Sequence, residues 1–178
     1  SDGFAKLWDF SNKDKNNSNI AKLPHLSKVY NAIFSPDGKY IATSSDYNDA
    51  KLWTVKNPDI TFAKLQDKKN VAKADFSPDG KFVVTTSFDK TAKIWNLEGQ
   101  FIYKLSHTDT VNNASFSPDG KYIITASEDD TAKIWNLKGQ LVLELPHTAN
   151  VLRSNFSPNR EYIVTVSDDN TAKIWDLT

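Results

Sequence analysis

Three heptapeptides constrain this chain more than anything else in it: Asp89-Lys90-Thr91-Ala92-Lys93-Ile94-Trp95, Asp129-Asp130-Thr131-Ala132-Lys133-Ile134-Trp135 and Asp169-Asn170-Thr171-Ala172-Lys173-Ile174-Trp175. Weaker copies stand at Asp2-Gly3-Phe4-Ala5-Lys6-Leu7-Trp8 and Asn48-Asp49-Ala50-Lys51-Leu52-Trp53. The tryptophans Trp8, Trp53, Trp95, Trp135 and Trp175 are therefore 45, 42, 40 and 40 residues apart. A chain that repeats itself at this period builds one supersecondary unit several times, and each unit buries its apolar faces on its neighbours.

The unit ending at Trp135 shows what is repeated. Val111 to Ser117 has strand character, and Ser117-Pro118-Asp119-Gly120 is a tight turn in which Pro presets φ and Gly takes the left-handed residue. Tyr122 to Ser127 is a β-branched and aromatic strand, Glu128-Asp129-Asp130 a turn, and Thr131 to Leu137 a third strand. Lys138-Gly139-Gln140 turns again into Leu141 to Leu145, which Pro146-His147 ends. Four short antiparallel strands with a turn every 8 to 12 residues describe one propeller blade and leave no room for helices. The turn recurs at Ser35-Pro36-Asp37-Gly38 and Ser77-Pro78-Asp79-Gly80, and degrades to Ser157-Pro158-Asn159-Arg160. Arg160 stands where the others have glycine, so this turn is expected to change conformation or carry strain. Phe10 to Asn19 interrupts the pattern with an asparagine-rich stretch suited to an exposed connection.

Composition removes several classes of function. The 22 basic and 22 acidic side chains leave no net charge, so the basic footprint of a nucleic-acid binder is missing. There is no cysteine, hence neither a disulfide framework nor a thiolate metal site, and this fits a reducing, cytoplasmic setting. No apolar run reaches the length of a membrane span, and the N-terminus lacks a signal-peptide core. The chain also lacks methionine and opens inside a repeat, which reads as a piece of a longer protein or an engineered one.

On these residues, over its whole length, the chain resembles the WD-repeat β-propellers, and its regularity is similar to that of bacterial, cyanobacterial-type multi-repeat proteins. The expected architecture is all-β: three complete four-stranded blades (about 26–66, 67–106 and 107–146) with partial blades at 1–25 and 147–178. The resemblance implies a hydrogen-bonded chain of His, Ser/Thr, Asp and Trp inside each blade. His107, Thr125, Asp129 and Trp135 form one such set, and His147, Thr165, Asp169 and Trp175 another. The residue types suit the task, because each buried polar group can serve the next. Two sets are irregular. His25, Thr43 and Trp53 match, but Tyr47 takes the Asp position, with Asp46 and Asp49 as substitutes nearby. Thr85, Asp89 and Trp95 match, but Asp67 stands where His belongs. Two carboxylates would then meet in one network, unfavourably unless one is protonated or turns to solvent, and both blades are expected to be looser. The N-terminal set keeps only Asp2 and Trp8.

A Thr–His–Asp constellation also invites a hydrolase reading. Its recurrence at each blade, its bulky Trp end and the lack of a Gly-x-Ser-x-Gly elbow argue for a structural role instead. His25, His107 and His147 are the only histidines and all sit at that position, so no catalytic base, metal ligand or cofactor site is left over. Calcium loops of EF-hand spacing are absent as well. The chain is expected not to be an enzyme and to need no cofactor.

The resemblance places partner binding on one face of the disc. The residues there are Lys28 and Tyr30, Asn70 and Ala72, Thr110 and Asn112, Asn150 and Leu152, with Ser1, Asp46, Phe88, Glu128 and Asp168 before each Asp position. Phe88, Tyr30 and Leu152 have the character of apolar anchors. Asp46, Glu128 and Asp168 hint at a basic or peptide partner. The reading is a scaffold that binds a protein or peptide, with neither nucleic acid nor membrane as partner. Alternatives are a self-assembling fragment without a ligand, or the sensor segment of a larger signalling protein. A propeller must also close, and this chain offers a third and fourth strand at one end and a blade without its fourth at the other. Ile20 to Leu23 is expected to complete the last blade. A second copy closing a ring of about eight blades, or the remainder of a longer chain, is the expected partner.

Overall fold

The computed structural model describes residues 3–8 and 19–177, all of them strand, turn or loop. Ser1, Asp2 and nearly all of the Phe10 to Asn19 stretch lie outside the described residues. Among the described residues, alternating side chains and closely spaced turns produce 17 short strands in five antiparallel sheets. The first sheet pairs β1 (Phe4–Trp8) with β2 (Asn19–Pro24). Next come β3 (Val29–Phe34), β4 (Tyr40–Ser45), β5 (Asp49–Thr54) and β6 (Asn57–Gln66), each beside the one before it. β7 (Val71–Phe76), β8 (Phe82–Ser87), β9 (Thr91–Asn96) and β10 (Phe101–Ser106) repeat that order. So do β11 (Val111–Phe116), β12 (Tyr122–Ser127), β13 (Thr131–Asn136) and β14 (Leu141–Pro146). The last sheet has three strands: β15 (Val151–Phe156), β16 (Tyr162–Ser167) and β17 (Ala172–Asp176).

The sheets stack face to face, and each of the four apolar clusters lies between two of them. Val84, Ala92, Ile94 and Leu105 of one sheet meet Val111, Ala114, Phe116, Ile123 and Trp135 of the next. The same positions recur one sheet earlier and one later. At the N-terminal end Leu7, Ala21 and Leu23 cover Ile41 and Trp53. β2 therefore stays beside β1 and packs on the following blade. The expectation that Ile20 to Leu23 completes the last blade is not met, because the β1 partner lies closer in sequence and satisfies the same edge.

Every four-stranded sheet, and the last one, carries a register shift near the start of its first strand. It falls between Val29 and Asn31, Val71 and Lys73, Val111 and Asn113, and Val151 and Arg153. A bulge of this kind re-aims one side chain out of the strict alternation of the strand.

The Ser-Pro-Asp-Gly turns hold themselves. Ser117 Oγ donates to Asp119 Oδ1 at 2.6 Å and accepts from the Tyr122 N–H, while the Gly120 N–H donates to the Ser117 carbonyl at 2.8 Å. Arg160 resolves its two options in favour of strain: it keeps the glycine conformation with φ of 65°. Its guanidinium reaches Asp119 at 2.8 Å.

Gly120 and Gly139 separate two kinds of glycine. A Cβ on Gly120 would meet nothing closer than Pro78 Cδ at 3.6 Å, whereas on Gly139 it would lie 3.3 Å from Tyr103 Cβ, on the neighbouring blade. Both have φ near +70°. Gly120→Ala is expected to cost about 1 kcal/mol from backbone strain alone. Gly139→Ala is expected to cost clearly more, because it also pushes two blades apart. Urea unfolding of the two variants checks the order.

Candidate interaction face and its supporting tetrads

Inside the blades, strand pairing brings the tetrad residues together. Trp135 Nε1–H donates to Thr125 Oγ1 at 2.8 Å, and Thr125 Oγ1 lies 2.7 Å from His107 Nε2. His107 Nδ1 lies 2.8 Å from Asp129 Oδ2. Asp129 is a carboxylate and only accepts, so the neutral imidazole carries its proton on Nδ1 and accepts the threonine hydroxyl at Nε2. The donors thus run in one direction, from Trp through Thr and His to Asp. His147, Thr165, Asp169 and Trp175 repeat this at 2.7, 2.7 and 2.9 Å. Thr125 and Thr165 are fully buried and already hold the indole N–H, so no substrate could reach either hydroxyl as a nucleophile.

Burial alone would raise the Asp129 carboxyl. Hydrogen bonds from His107, Thr131 and the Thr108 N–H more than offset this and hold it well below its ordinary value. Asp169 is held low as well, chiefly by the Thr171 hydroxyl and then by His147. Stability supplied by these groups is complete above the ordinary carboxylate value of 3.8 and is lost as the pH falls below it.

The two irregular sets are wired differently. In the blade of Trp53, Asp49 and not Asp46 substitutes for the missing aspartate. It reaches His25 Nδ1 at 3.3 Å from two positions further along, and also accepts the Ser45 hydroxyl at 2.6 Å. His25 still meets Thr43 at 2.7 Å, and Trp53 donates to Thr43 at 2.8 Å.

In the blade of Trp95, Trp95 donates to Thr85 at 2.8 Å, but two carboxylates face each other without a histidine. Neither turns to solvent. Lys93 Nζ enters between them, 2.5 Å from Asp67 Oδ1 and 2.7 Å from Asp89 Oδ2. The equivalent Lys51 and Lys173 point instead to the carbonyls of Pro24 and Pro146. Burial pushes the Asp67 carboxyl up, against the pull of Lys93, and its second oxygen has no hydrogen-bond partner among the described residues. Asp89 is held low, because Lys93 and Thr91 more than offset its burial.

The tetrads fix one end of each blade, where two loops meet. The Asp46 N–H donates to the Lys28 carbonyl, and Phe88 pairs likewise with Asn70, Glu128 with Thr110 and Asp168 with Asn150, at 2.9 to 3.1 Å. Eight of the expected face residues are thereby brought together in four pairs. The other four, Tyr30, Ala72, Asn112 and Leu152, are the bulged residues of the first strands. They converge on a cleft of about 470 Å³ that they share with Asn31, Lys73, Asn113 and Arg153. Phe88 stays outside this cleft, and Ser1 lies outside the described residues.

Tyr30 donates to Asp46 at 2.8 Å and lies under the Lys28 ammonium, 4.9 Å from ring centre to Nζ; Asn70 also bonds Asp46. Tyr30, Phe88 and Leu152 remain partly exposed. Beneath the rim, burial pulls the Lys73 ammonium down while Asp75 opposes it, and Arg153 adds a second positive charge. Lys73 Nζ donates to the Ala114 carbonyl of the next blade at 3.1 Å. Sequence reasoning missed Lys73 and Arg153, since a strict period of two turns them away from Tyr30 and Leu152, and only the bulge sets both on one cleft. Lys93 carried a readable signal: a lysine precedes Ile-Trp or Leu-Trp in every repeat.

Stacked sheets of this order, with a His–Thr–Asp–Trp chain inside the blade, define the repeat class of β-propellers. The family model of the WD domain, G-beta repeat, matches residues 17–54, 62–96, 99–136 and 139–176, and the chain belongs to that family. Its members typically act as protein-interaction scaffolds and not as enzymes. No curated protein matches the chain. Among the described residues no helix is long and apolar enough to cross a membrane, and no group of three His, Asp or Glu side chains is placed to hold a metal ion.

Two substitutions test the wiring. Thr125→Val strands both the Trp135 N–H and His107 Nε2, and is expected to cost about 3 kcal/mol, a fall in Tm of roughly 6–12 °C. Asp67→His supplies the absent imidazole and frees Lys93 to turn to a carbonyl, as Lys51 and Lys173 do. It is expected to gain about 1 kcal/mol near neutral pH. The sign distinguishes Asp67 from the tetrad aspartates. With its folded value raised, its favourable contribution is present at low pH and lost as the pH rises through that value, so the gain from Asp67→His shrinks on acidification. Thermal melts from pH 3 to 8 measure both effects.

Proposed function

We propose that this chain is a cytoplasmic, non-enzymatic scaffold module that binds a protein or peptide across the bulged face of its blades. The observation that supports this most is the cleft where Tyr30, Asn112 and Leu152 meet Lys73 and Arg153. An extended segment could lay apolar side chains on Tyr30, Leu152 and Phe88 and an acidic group over the two cations. Lys28, Asp46, Thr110, Glu128, Asn150 and Asp168 form the polar rim, and the three acids among them favour basic residues flanking the anchor. Polar rims around a few exposed aromatic or aliphatic anchors are the usual anatomy of such contacts.

A second reading concerns the ends of the stack. The exposed apolar faces of β3 and β17 support self-association, with a second copy as the partner.

The face is tested with a random-peptide display library selected on the wild-type chain. Peptides so enriched are expected to lose at least about tenfold in affinity, about 1.4 kcal/mol, on a Tyr30→Ala, Leu152→Asp double variant that melts like wild type. Peptides that bind both forms equally would overturn the proposed face.

A further inference from the structure

The four first strands bring different side chains to one level of the cleft. Lys73 of β7 and Arg153 of β15 stand there as cations, and Asn31 of β3 and Asn113 of β11 as amides. None of the described lining residues is acidic. Each amide has its oxygen on a backbone N–H of the next sheet, Asn31 on Ala74 and Asn113 on Ser154, both at 3.4 Å. The group that Asn31 can still offer a ligand is its NH2, a donor.

The two cations are held differently. Lys73 is half-buried, with its ammonium fixed on the Ala114 carbonyl at 3.1 Å. Arg153 is near enough to disfavour the charge on Lys73, after the larger effect of burial. Among the described residues no carboxylate lies within ion-pair distance of the Arg153 guanidinium, whereas Arg160, the only other arginine, is taken up by Asp119 at 2.8 Å. Two neighbouring cations repel, and an anion placed between them is held by both. A guanidinium can meet a carboxylate with two parallel N–H donors.

Asp75 limits how much negative charge this place can take. It does not line the cleft, but follows Lys73 by two residues on β7. Both are half-buried, while Ala74 between them is fully buried in the core on the other side of the sheet. Burial pushes the Asp75 carboxyl up, and Lys73 and the Phe76 N–H pull it back down. Lys73 and Arg153 less Asp75 leave one positive charge. That matches a carboxylate, and falls short of the nearly double charge of a phosphate group.

The rim bears on which carboxylate enters. Asp46, Glu128 and Asp168 stand on turns of three different blades. A segment that runs on past the cleft in both directions can set a basic residue against the rim on either side. A terminal carboxylate has chain on one side only.

We infer that the cleft reads one aspartate or glutamate side chain in the middle of an extended, otherwise basic segment of a partner protein, with Lys73 and Arg153 holding the carboxylate and Asp75 turning phosphate away. This rests on the face proposed above and names the group that enters it. Asp75 touches no ligand; it sets the charge that the two cations have left to offer.

The display-selected peptides that fail on the Tyr30→Ala, Leu152→Asp variant serve as probes. We expect them to share one acidic position with lysine or arginine on both sides. Replacing that residue by its amide is expected to cost about tenfold to a hundredfold in affinity for the wild-type chain. The same replacement is expected to cost far less on Arg153→Gln, which melts like wild type because Arg153 is exposed. Phosphoserine at that position is expected to bind the wild-type chain more weakly than aspartate, and Asp75→Asn to reverse the order. Amidation of the peptide C-terminus is expected to change nothing. Equal affinity of the acid and amide peptides would overturn the inference and leave the face standing. So would tighter binding of the phosphoserine peptide by the wild-type chain, or dependence on a free C-terminus. If no peptide is enriched, or none depends on Tyr30 and Leu152, face and inference fall together.

Discussion

No sheet in this chain has a core of its own. Each is one layer thick, and its apolar side chains become buried only when the next sheet supplies the other half, as Ile94 and Leu105 do for Phe116 and Ile123. The favourable free energy of burial therefore resides between blades and not within them. Everything else in the molecule serves to present those faces at the correct angle: the turns that hold themselves by a serine and an aspartate, the indole pinned inside the blade, and the glycine that lets one loop lie against its neighbour.

The tetrad and the bulge divide the remaining work. In the regular blades the tetrad joins its own buried polar groups in a single directional chain, so that the indole N–H is buried with a partner. The bulge does the reverse at the adjacent end. It withdraws one residue per blade from the ladder and aims it at the cleft, where Tyr30, Ala72, Asn112 and Leu152 differ although each first strand opens on Val and ends on Phe. Invariant scaffold and variable contact are thus separated by only a few residues along each first strand.

Much of this was legible from residues alone. The tryptophan spacing and the recurring turn gave the blade, its strand order and the members of the two regular tetrads, because those features depend on local pattern. What escaped depended on geometry that a pattern does not carry. Asp49 acts in place of Asp46 because it stands at the position of Thr131, whose side chain touches the tetrad aspartate in a regular blade, whereas Asp46 is engaged by Tyr30 and Asn70. Lys73 and Arg153 join the cleft because a bulge cancels the alternation that would have sent them elsewhere. Ile20 to Leu23 has the composition of a fourth strand wherever a third-strand edge is offered, and only the fold shows which edge it takes.

Asp67 and Lys93 carry a further consequence. The lysine was not recruited for this blade; it stands at the same place in every repeat, directed to a carbonyl as Lys51 and Lys173 are, or to carboxylates as Lys133 is to Asp129 and Glu144. These blades therefore hold a cation beside the tetrad, and in the blade of Asp67 it meets the carboxylate that has replaced the histidine. A repeat equipped in this way can drift at its most constrained position while the array stays folded. That gives duplicated blades room to diverge one at a time.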